Sequence, residues 1–217
     1  MVEDKKCTLA DLWYLARRHL EEYKQRGMRT NDRKRTRPGR DPILVLPVPT
    51  PIGRLVLAAT SKGVCRIELP GPNSHLLANV WLALHFPNSS HRAGISPALK
   101  QATEEFEAYF LGDLEQFSFP LDTVGTEFQR AVWHGVSEIP FGETRSYRDV
   151  AVAIDRARAV RAVGAANAAN PLPIVVPCHR VIGSDGTLTG YAGGLETKRW
   201  LLGHEASLAE QPATRTH

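Results

Sequence analysis

A cysteine followed directly by a histidine is the feature of this sequence best suited to chemistry. Cys178 and His179 lie in the tetrapeptide Pro177-Cys178-His179-Arg180. The thiolate is the reactive form of cysteine, and a free thiol with a pKa of about 8.5 is mostly protonated at neutral pH. Histidine is the side chain best suited to accept that proton near pH 7. The pair therefore indicates a nucleophile. Adjacent side chains rarely face each other, however, and a single cysteine is equally compatible with a small buried residue.

The residues before this tetrapeptide must position the thiol. The apolar run 172–176 (LPIVV) predicts a short buried strand or an extended segment that ends close to Cys178. Asn170 precedes Pro171, where an Asn side chain is suited to bracing a turn. Arg180 follows the histidine, and a structural ion pair is the simple interpretation of its charge. The sequence thus predicts a thiol held by a braced loop.

Helical patterns occupy the chain before this loop. Residues 126–137 carry apolar side chains at helical spacing, and helices are also predicted over 147–154, with Ser146 as cap, and 157–168. Two helices joined by a short turn are typical of a helix-turn-helix, although many helical bundles share this pattern. Residues 125–205 are therefore expected to form one mainly helical domain.

Residues 42–124 alternate between strand and helix patterns and predict a small α/β domain. The predicted strands are 43–48, 53–60 and 63–69, and the predicted helices are 74–85 and 96–111. No metal site is expected, because Cys65 and the histidines of this region lack the tight spacing of zinc ligands.

The first 41 residues differ from the rest of the chain. Residues 8–26 predict an amphipathic helix, and residues 29–41 predict a flexible basic linker. The apolar stripe of this helix consists of Leu9, Leu12, Trp13, Ala16, Leu20 and Tyr23. Docking on the body of the protein is the expected role of the stripe, and binding of a partner is the alternative. Residues 206–217 are expected to form a tail.

Charge and composition limit the class of protein. Residues 1–41 carry 12 Lys+Arg against 7 Asp+Glu, a net of +5, while the other residues carry 15 against 16, a net of −1. The basic character therefore belongs mainly to the N-terminal arm. The sequence has 3 widely spaced cysteines, which argues against a disulfide framework. It lacks a signal-peptide pattern and any apolar run of about 20 residues, so a cytoplasmic protein without a membrane partner is expected.

Several motifs from Gly125 onward lie at linked spacings. They are GTEFQRAVWHG, PCHR, the glycine-rich loop GYAGG and the distal LLGHE. Together they closely resemble the O6-alkylguanine-DNA alkyltransferase family from Gly125 to Glu205, with a weaker resemblance back to TPIGRLVLAAT at Thr50. The resemblance implies a ribonuclease H-like α/β domain over 42–124. It further implies that the mainly helical domain over 125–205 carries a winged helix-turn-helix-like motif for binding DNA.

The same resemblance assigns roles to individual residues of the thiol site. It implies that Cys178 accepts the alkyl group, that His179 acts as its base through water, and that the Glu205 carboxylate orients the imidazole. Asn170 would brace the nucleophile and assist this relay, and Tyr147 would rotate the nucleotide and donate a proton towards the purine. Without the resemblance, Glu205 would be interpreted as a solvated residue near a helix end and Tyr147 as a core residue.

The resemblance also implies a substrate pocket and a DNA-binding helix. The expected pocket residues are Tyr191, Ala192, Lys198 and Val181. The expected DNA-binding residues are Tyr147, Arg161, Ala162, Gly164, Ala165 and Ala166. Arg161 would fill the gap left by an extruded base from the minor groove, and Lys198 is otherwise compatible with a solvated helical lysine.

The resulting hypothesis is a DNA repair enzyme that acts once. It would transfer an alkyl group from O6 of guanine, and also from O4 of thymine, in double-stranded DNA to Cys178, as a methylated-DNA–protein-cysteine methyltransferase. It would need no cofactor and no obligate protein partner, and would work on DNA in the nucleoid or nucleus. The alternatives are a non-catalytic module that binds alkylated bases, or a Cys/His hydrolase that turns over repeatedly.

Overall fold

The computed structural model describes residues 41–210, divided into two compact units between Asp122 and Thr123. The predicted N-terminal helix, the basic linker up to residue 40 and residues 211–217 of the tail lie outside the described residues. None of the described helices is long and apolar enough to cross a membrane.

The first unit is built on a four-stranded sheet with the strand order β3-β2-β1-β4. The strands are β1 Ile43–Thr50, β2 Gly53–Ala59, β3 Val64–Glu68 and β4 His91–Ala93. β2 pairs antiparallel with both β1 and β3, while the short β4 pairs parallel with β1. Two helices, α1 Ser74–His85 and α2 Pro97–Leu111, contact this sheet. The unit is therefore the mixed α/β domain that the sequence predicts.

Local sequence signals explain where the helix α2 begins and ends. Ser96 caps its first turn, because the Ser96 hydroxyl accepts a hydrogen bond from the Leu99 N–H. Gly112 ends it in the left-handed conformation with φ of 81°, which glycine adopts without steric cost. Between these signals, Leu99, Phe106 and Phe110 are buried at helical spacing. The apolar face of α2 thus forms a large part of the core of this unit.

The second unit is mainly helical. Its helices are α3 Glu127–Ser137, α4 Tyr147–Ala153, α5 Val160–Ala168 and α6 Gly194–Ala209. β5 Arg145–Ser146 and β6 Val181–Ile182 form a small parallel pair, and Cys178–Arg180 forms a single turn of 3₁₀ helix. The helices α3, α4 and α5 contact one another, and α6 contacts the 3₁₀ turn.

Capping boxes set the starts of α3 and α4. Thr126 accepts from the Gln129 N–H while the Gln129 side chain accepts from the Thr126 N–H, and Ser146 and Asp149 repeat the arrangement. The prediction for α5 began too early, at residue 157. Asp155 adopts a left-handed φ of 58° and the chain makes a further turn before the helix begins at Val160.

The prediction of a strand or extended segment over 172–176 was wrong. The chain turns back there, because the Val176 N–H donates to the Leu172 carbonyl at 2.9 Å. Ile174 adopts a left-handed φ of 76°, which is strained for a β-branched residue. The apolar pattern identified burial correctly, since Leu172 and Ile174 are buried, but burial alone does not distinguish a strand from a tight buried turn.

Candidate active site

Cys178 lies at the start of the 3₁₀ turn, immediately after the strained loop. Its N–H donates to the Val176 carbonyl at 2.7 Å, and its own carbonyl accepts from Asn167 Nδ2 at 3.3 Å. Only 6% of the residue is exposed. Burial raises the pKa of the Cys178 thiol to about 11, although a hydrogen bond from Asn170 and the charge of Lys198 act in the opposite direction. The resting thiol is therefore protonated at neutral pH and requires a base.

Asn170 fastens the loop that carries the thiol. Its Nδ2 donates to the Val176 carbonyl at 2.8 Å and its Oδ1 accepts from the Leu172 N–H at 2.9 Å. One amide side chain thus holds both ends of the 172–176 turn. This is the bracing expected from the sequence at an Asn-Pro step, and these contacts offset the cost of the strained φ of Ile174.

A buried network joins His179 to residues that are distant in sequence. His179 Nε2 lies 2.8 Å from Glu205 Oε1, and neither side chain is exposed to solvent. Arg180 makes a bidentate contact with the same carboxylate through one edge of its guanidinium, since Nε donates to Oε2 at 2.8 Å and Nη2 donates to Oε1 at 3.0 Å. Arg180 also donates to the Ile139 carbonyl, and the Gly142 N–H donates to Glu205 Oε2 at 3.3 Å. The Glu205 carboxylate is therefore surrounded by hydrogen-bond donors.

The charge of Glu205 determines which ring nitrogen of His179 carries the proton. Burial opposes ionisation of this carboxyl, but the hydrogen bonds from His179 and Arg180 and the charge of Arg180 outweigh burial and lower its pKa. An ionised carboxylate only accepts hydrogen bonds, so His179 Nε2 must carry the proton. Nδ1 of the neutral ring then holds the lone pair, and this atom is buried without a hydrogen-bond partner within the described residues. His179 is thus oriented as a proton acceptor.

Both ionisable groups of this pair make the fold sensitive to acid. Burial lowers the pKa of His179, although the hydrogen bond and charge of Glu205 act to raise it. For both His179 and Glu205 the folded-state pKa lies below the unfolded value, so on acidification the unfolded chain binds the proton first. The stability contributed by each group is present above its unfolded pKa and is lost as pH falls below it. The loss begins near pH 6.5, the ordinary histidine value, and deepens below about 4.5.

Lys198 is buried, which contradicts its interpretation as a solvated helical lysine. Its ammonium donates to the Val181 carbonyl at 2.7 Å and to the Thr189 carbonyl at 2.9 Å. Burial lowers the pKa of Lys198, while the neighbouring Cys178 acts to raise it. The side chain ties the glycine-rich loop to the strand that follows the 3₁₀ turn, and it places a positive charge near the thiol.

A cavity of about 400 Å³ opens onto the thiol. The residues that line it are Tyr147, Gly164, Asn167, Ala168, Asn170, Pro173, Cys178, Thr189, Gly190, Tyr191 and Ala192. The Tyr147 hydroxyl lies at one wall and accepts from the Thr189 hydroxyl at 3.2 Å. The Tyr191 ring meets the His179 ring edge to face, with centroids 6.5 Å apart. The cavity is thus large enough for one flat heterocycle and has aromatic walls.

Two of the four expected pocket residues line the cavity. Tyr191 and Ala192 line the cavity, whereas Lys198 and Val181 are buried outside its lining, where the Lys198 ammonium donates to the Val181 carbonyl. The expectation that Lys198 and Val181 are pocket residues is therefore corrected: both lie behind the cavity lining.

The surface of α5 also differs in one position from the expectation. Arg161, Ala162 and Ala165 are exposed, and Gly164 is partly exposed. Ala166 is buried, and its carbonyl accepts from Trp133 Nε1 at 2.8 Å. Ala166 therefore belongs to the packing between α3 and α5 and not to a DNA-facing surface, because its side chain lies on the inner side of the helix.

The sequence did not point to Asn167, which is buried, lines the cavity and donates to the Cys178 carbonyl. No local sequence pattern marks Asn167, because its partner, the Cys178 carbonyl, lies 11 residues further along the chain. Arg180 makes the structural ion pair that the sequence suggested, and its partner is Glu205. No group of three or more His, Cys, Asp or Glu side chains within residues 41–210 is arranged to hold a metal ion.

Comparison with known proteins agrees with this architecture. A family model described as the ribonuclease-like domain of 6-O-methylguanine DNA methyltransferase matches residues 47–123, and one described as its DNA binding domain matches residues 127–207. A methylated-DNA–protein-cysteine methyltransferase of Methanosarcina barkeri is 44% identical over 156 residues, which are 71% of this chain and 92% of the relative. The chain belongs to the 6-O-methylguanine DNA methyltransferase family. The constitutive enzyme of Bacillus subtilis is 42% identical over 159 residues, which are 72% of this chain and 91% of that protein.

Solved structures of methyltransferases share the fold. The crystal structure of the Mycobacterium tuberculosis O6-methylguanine methyltransferase superposes with a TM-score of 0.67 at 38% identity, covering 79% of this chain and 96% of that one. A structure of the M. tuberculosis OGT protein in complex with DNA gives a TM-score of 0.64 at 40% identity, covering 77% and 94%. The family resemblance and the expected fold, a ribonuclease-like domain followed by a DNA-binding domain, are confirmed.

Proposed function

We propose that this protein repairs DNA by transferring an alkyl group from O6 of guanine, and also from O4 of thymine, to Sγ of Cys178. The observation that carries the proposal is a buried thiol facing a 400 Å³ cavity beside a histidine whose tautomer is set by a carboxylate. Membership of the methyltransferase family supports the reaction, and the DNA complex of the M. tuberculosis protein supports DNA as the partner.

The transfer consists of one displacement at the alkyl carbon. The S–C bond forms as the C–O6 bond breaks, and the electron pair of the broken bond goes to the base oxygen. The thiol proton passes to His179 Nδ1, through a bridging water, and the imidazolium that forms is stabilised by Glu205. Tyr147 donates a proton towards the purine as the purine oxygen gains charge, and the imidazolium of His179 then releases its proton to solvent, from which Tyr147 is reprotonated. The products are S-alkyl-Cys178 and an unmodified base.

The free-energy cost of removing the thiol proton follows from the thiol pKa of about 11. Forming the thiolate at pH 7 costs roughly 5 kcal/mol in the resting site, since each pKa unit corresponds to about 1.4 kcal/mol. The positive charge that appears on His179 and the nearby Lys198 both reduce this cost when the proton moves. The base is therefore needed during the reaction, although the resting pair is neutral.

Reaching the alkylated atom requires the base to leave the DNA stack. Arg161 is exposed on α5, beside Ala162, Gly164 and Ala165, whose small side chains permit close approach to a groove. In the proposed complex, Arg161 occupies the space left by the extruded nucleotide. Tyr191 stacks beside the base, and the backbone at Ala192 lies against its edge.

Each molecule acts once, because the mechanism contains no step that restores the thiol. We place the protein in the cytoplasm, on the DNA of the nucleoid or nucleus. The proposed reaction needs no cofactor and no second protein, because the Cys178 thiol itself is the acceptor.

The deciding experiment is the intact mass of the protein after incubation with duplex DNA that holds one O6-methylguanine. One methyl group per molecule is expected, and peptide mapping should place it on Cys178. Cys65 is the internal control, because burial raises its pKa to about 12 and its thiol donates to the Ala58 carbonyl within the other unit. Cys178→Ala should bind the duplex and gain no methyl group. Repeated turnover without a mass change would indicate a hydrolase, and binding without transfer by the wild type would indicate a recognition module.

A further inference from the structure

The outward face of α1 is apolar, although nothing within the described residues covers it. Ala78 and Leu82 face the core, and both are 1% exposed. A residue two positions further along a helix lies about 200° around the axis, so Val80 and Leu84 point away from the core. The large apolar side chains exposed on this helix are Leu76 at 61%, Leu77 at 53%, Val80 at 48% and Leu84 at 72%.

This pattern differs from that of an ordinary surface helix. A surface helix normally carries charged residues on its outer face, whereas the α1 sequence SHLLANVWLALH contains no Asp, Glu, Lys or Arg. Leu76, Val80 and Leu84 follow one another at i, i+4 spacing and form a continuous apolar ridge roughly 12 Å long. A contiguous ridge of this kind in a soluble protein indicates a docking surface. We call the ridge of Leu76, Leu77, Val80 and Leu84 the α1 ridge.

The chain itself contains a segment with a matching surface. Residues 8–26 carry an apolar stripe at helical spacing, in a part of the sequence that lies outside the family match. The stripe from Leu9 to Tyr23 would extend roughly 21 Å as a helix, enough to cover the α1 ridge. Its polar positions carry basic and acidic residues, such as Arg18 and Glu22, which would remain in water.

β1, which follows the N-terminal arm, begins close to α1, since Ile43 and Leu82 pack in the same core cluster. The Ile43 N–H donates to the Ser90 carbonyl at 2.9 Å, and Ser90 lies in the short connection that follows α1. Residues 27–42 separate the segment 8–26 from β1 and reach roughly 50 Å when extended, which is nearly three times the roughly 18 Å length of α1. A tethered segment is present at an effective concentration in the millimolar range, so it occupies the ridge in preference to a second molecule.

We propose that residues 8–26 dock as an amphipathic helix on the α1 ridge of their own chain. The apolar stripe packs on Leu76, Val80 and Leu84, as a helix lies on a hydrophobic surface in many helix–groove complexes. The N-terminal arm is then part of the folded first unit, and the basic linker is held at both ends.

Disulfide trapping in the full-length chain tests the proximity directly. In a Cys7→Ser background, the pair Leu12→Cys and Val80→Cys should form an intramolecular disulfide under mild oxidation. The pair Leu12→Cys and Lys100→Cys is the matched control, because Lys100 is also exposed but lies on α2, and it should form little disulfide. Absence of the disulfide in the first pair would overturn the proposal. Disulfide-linked dimers as the main product would also overturn it, since a second copy would then be the occupant.

Hydrogen exchange supplies a readout that needs no added cysteine. Val80→Glu places a charge in the centre of the ridge and should speed amide exchange in peptides from residues 8–26 at least about tenfold, while thermal unfolding of the sheet is unchanged. Asn79→Glu adds the same charge to an exposed position on the side of the same helix and should leave that exchange nearly unchanged. Equal exchange in both variants and the wild type would refute the docking, without bearing on alkyl transfer by Cys178.

Discussion

Replacement of Glu205 by glutamine is the sharpest test of the proposed relay. Each carboxylate oxygen accepts from two donors: Oε1 from His179 and from Arg180 Nη2, and Oε2 from Arg180 Nε and the Gly142 N–H. An amide has one oxygen and one NH₂ group, so in either orientation its NH₂ faces two donors. If the NH₂ group faces His179, the ring must hold its proton on Nδ1, where it blocks acceptance of the thiol proton.

The expected loss of rate follows from the charge that disappears. An imidazolium and a carboxylate with charge centres about 4 Å apart attract by about 4 kcal/mol at an effective dielectric constant near 20. Arg180 already offsets part of this field, so Glu205→Gln should slow transfer by about 100- to 1,000-fold, or roughly 3–4 kcal/mol. The unpaired buried Arg180 should also lower the free energy of unfolding by about 3–5 kcal/mol.

The assay separates chemistry from folding. Single-turnover transfer from duplex O6-methylguanine is followed by intact mass at neutral pH, and stability is followed by urea unfolding. Glu196→Gln is the matched control, since Glu196 is an exposed acid in the first turn of the same helix. The double variant Arg180→Met/Glu205→Gln should recover stability but not rate, because the unpaired charge is gone while the imidazolium remains unsupported. A folded Glu205→Gln protein that transfers within about threefold of the wild-type rate would refute the relay.

Three further outcomes are expected. Arg161→Ala should slow transfer from duplex DNA about 10- to 100-fold but slow the reaction with free O6-benzylguanine much less, because only the duplex requires base extrusion. Equal losses of rate on the two substrates would assign Arg161 to the pocket or the fold. Lys198→Met should remove the hydrogen bonds that the Lys198 ammonium donates to the Val181 and Thr189 carbonyls and lower the free energy of unfolding in urea by about 2–4 kcal/mol. An unchanged urea midpoint would contradict the bracing role of Lys198. The free energy of unfolding of the wild type should decline as pH falls below about 6.5. Its further decline below about 4.5 should be weaker in Glu205→Gln, because the folded-state pKa of Glu205 is lowered and glutamine does not titrate. Equal acid sensitivity of the two proteins in urea unfolding would contradict a lowered pKa of Glu205.

Features with local causes can be predicted from the amino-acid sequence. The capping boxes that start α3 and α4 join residues three apart, so Thr126 and Ser146 mark the helix starts through residue type and spacing alone. The Asn-Pro step at Asn170 and the Cys178-His179 pair are likewise formed by neighbours in sequence. The motifs at fixed spacing indicated the family, and the comparisons confirm it.

The charge state of the site and the burial of individual side chains depend on contacts between residues that are distant in sequence. Glu205 reaches His179 and Arg180 across 25 or more residues, and no local pattern shows that one carboxylate serves both. The burial of Lys198 and Ala166 depends on how α6 and α5 pack, because a small or amphipathic side chain fits either face of a helix. The turn at 172–176 was missed for the same reason: apolar side chains specify burial, while the direction of the chain is set by the hydrogen bonds of Asn170.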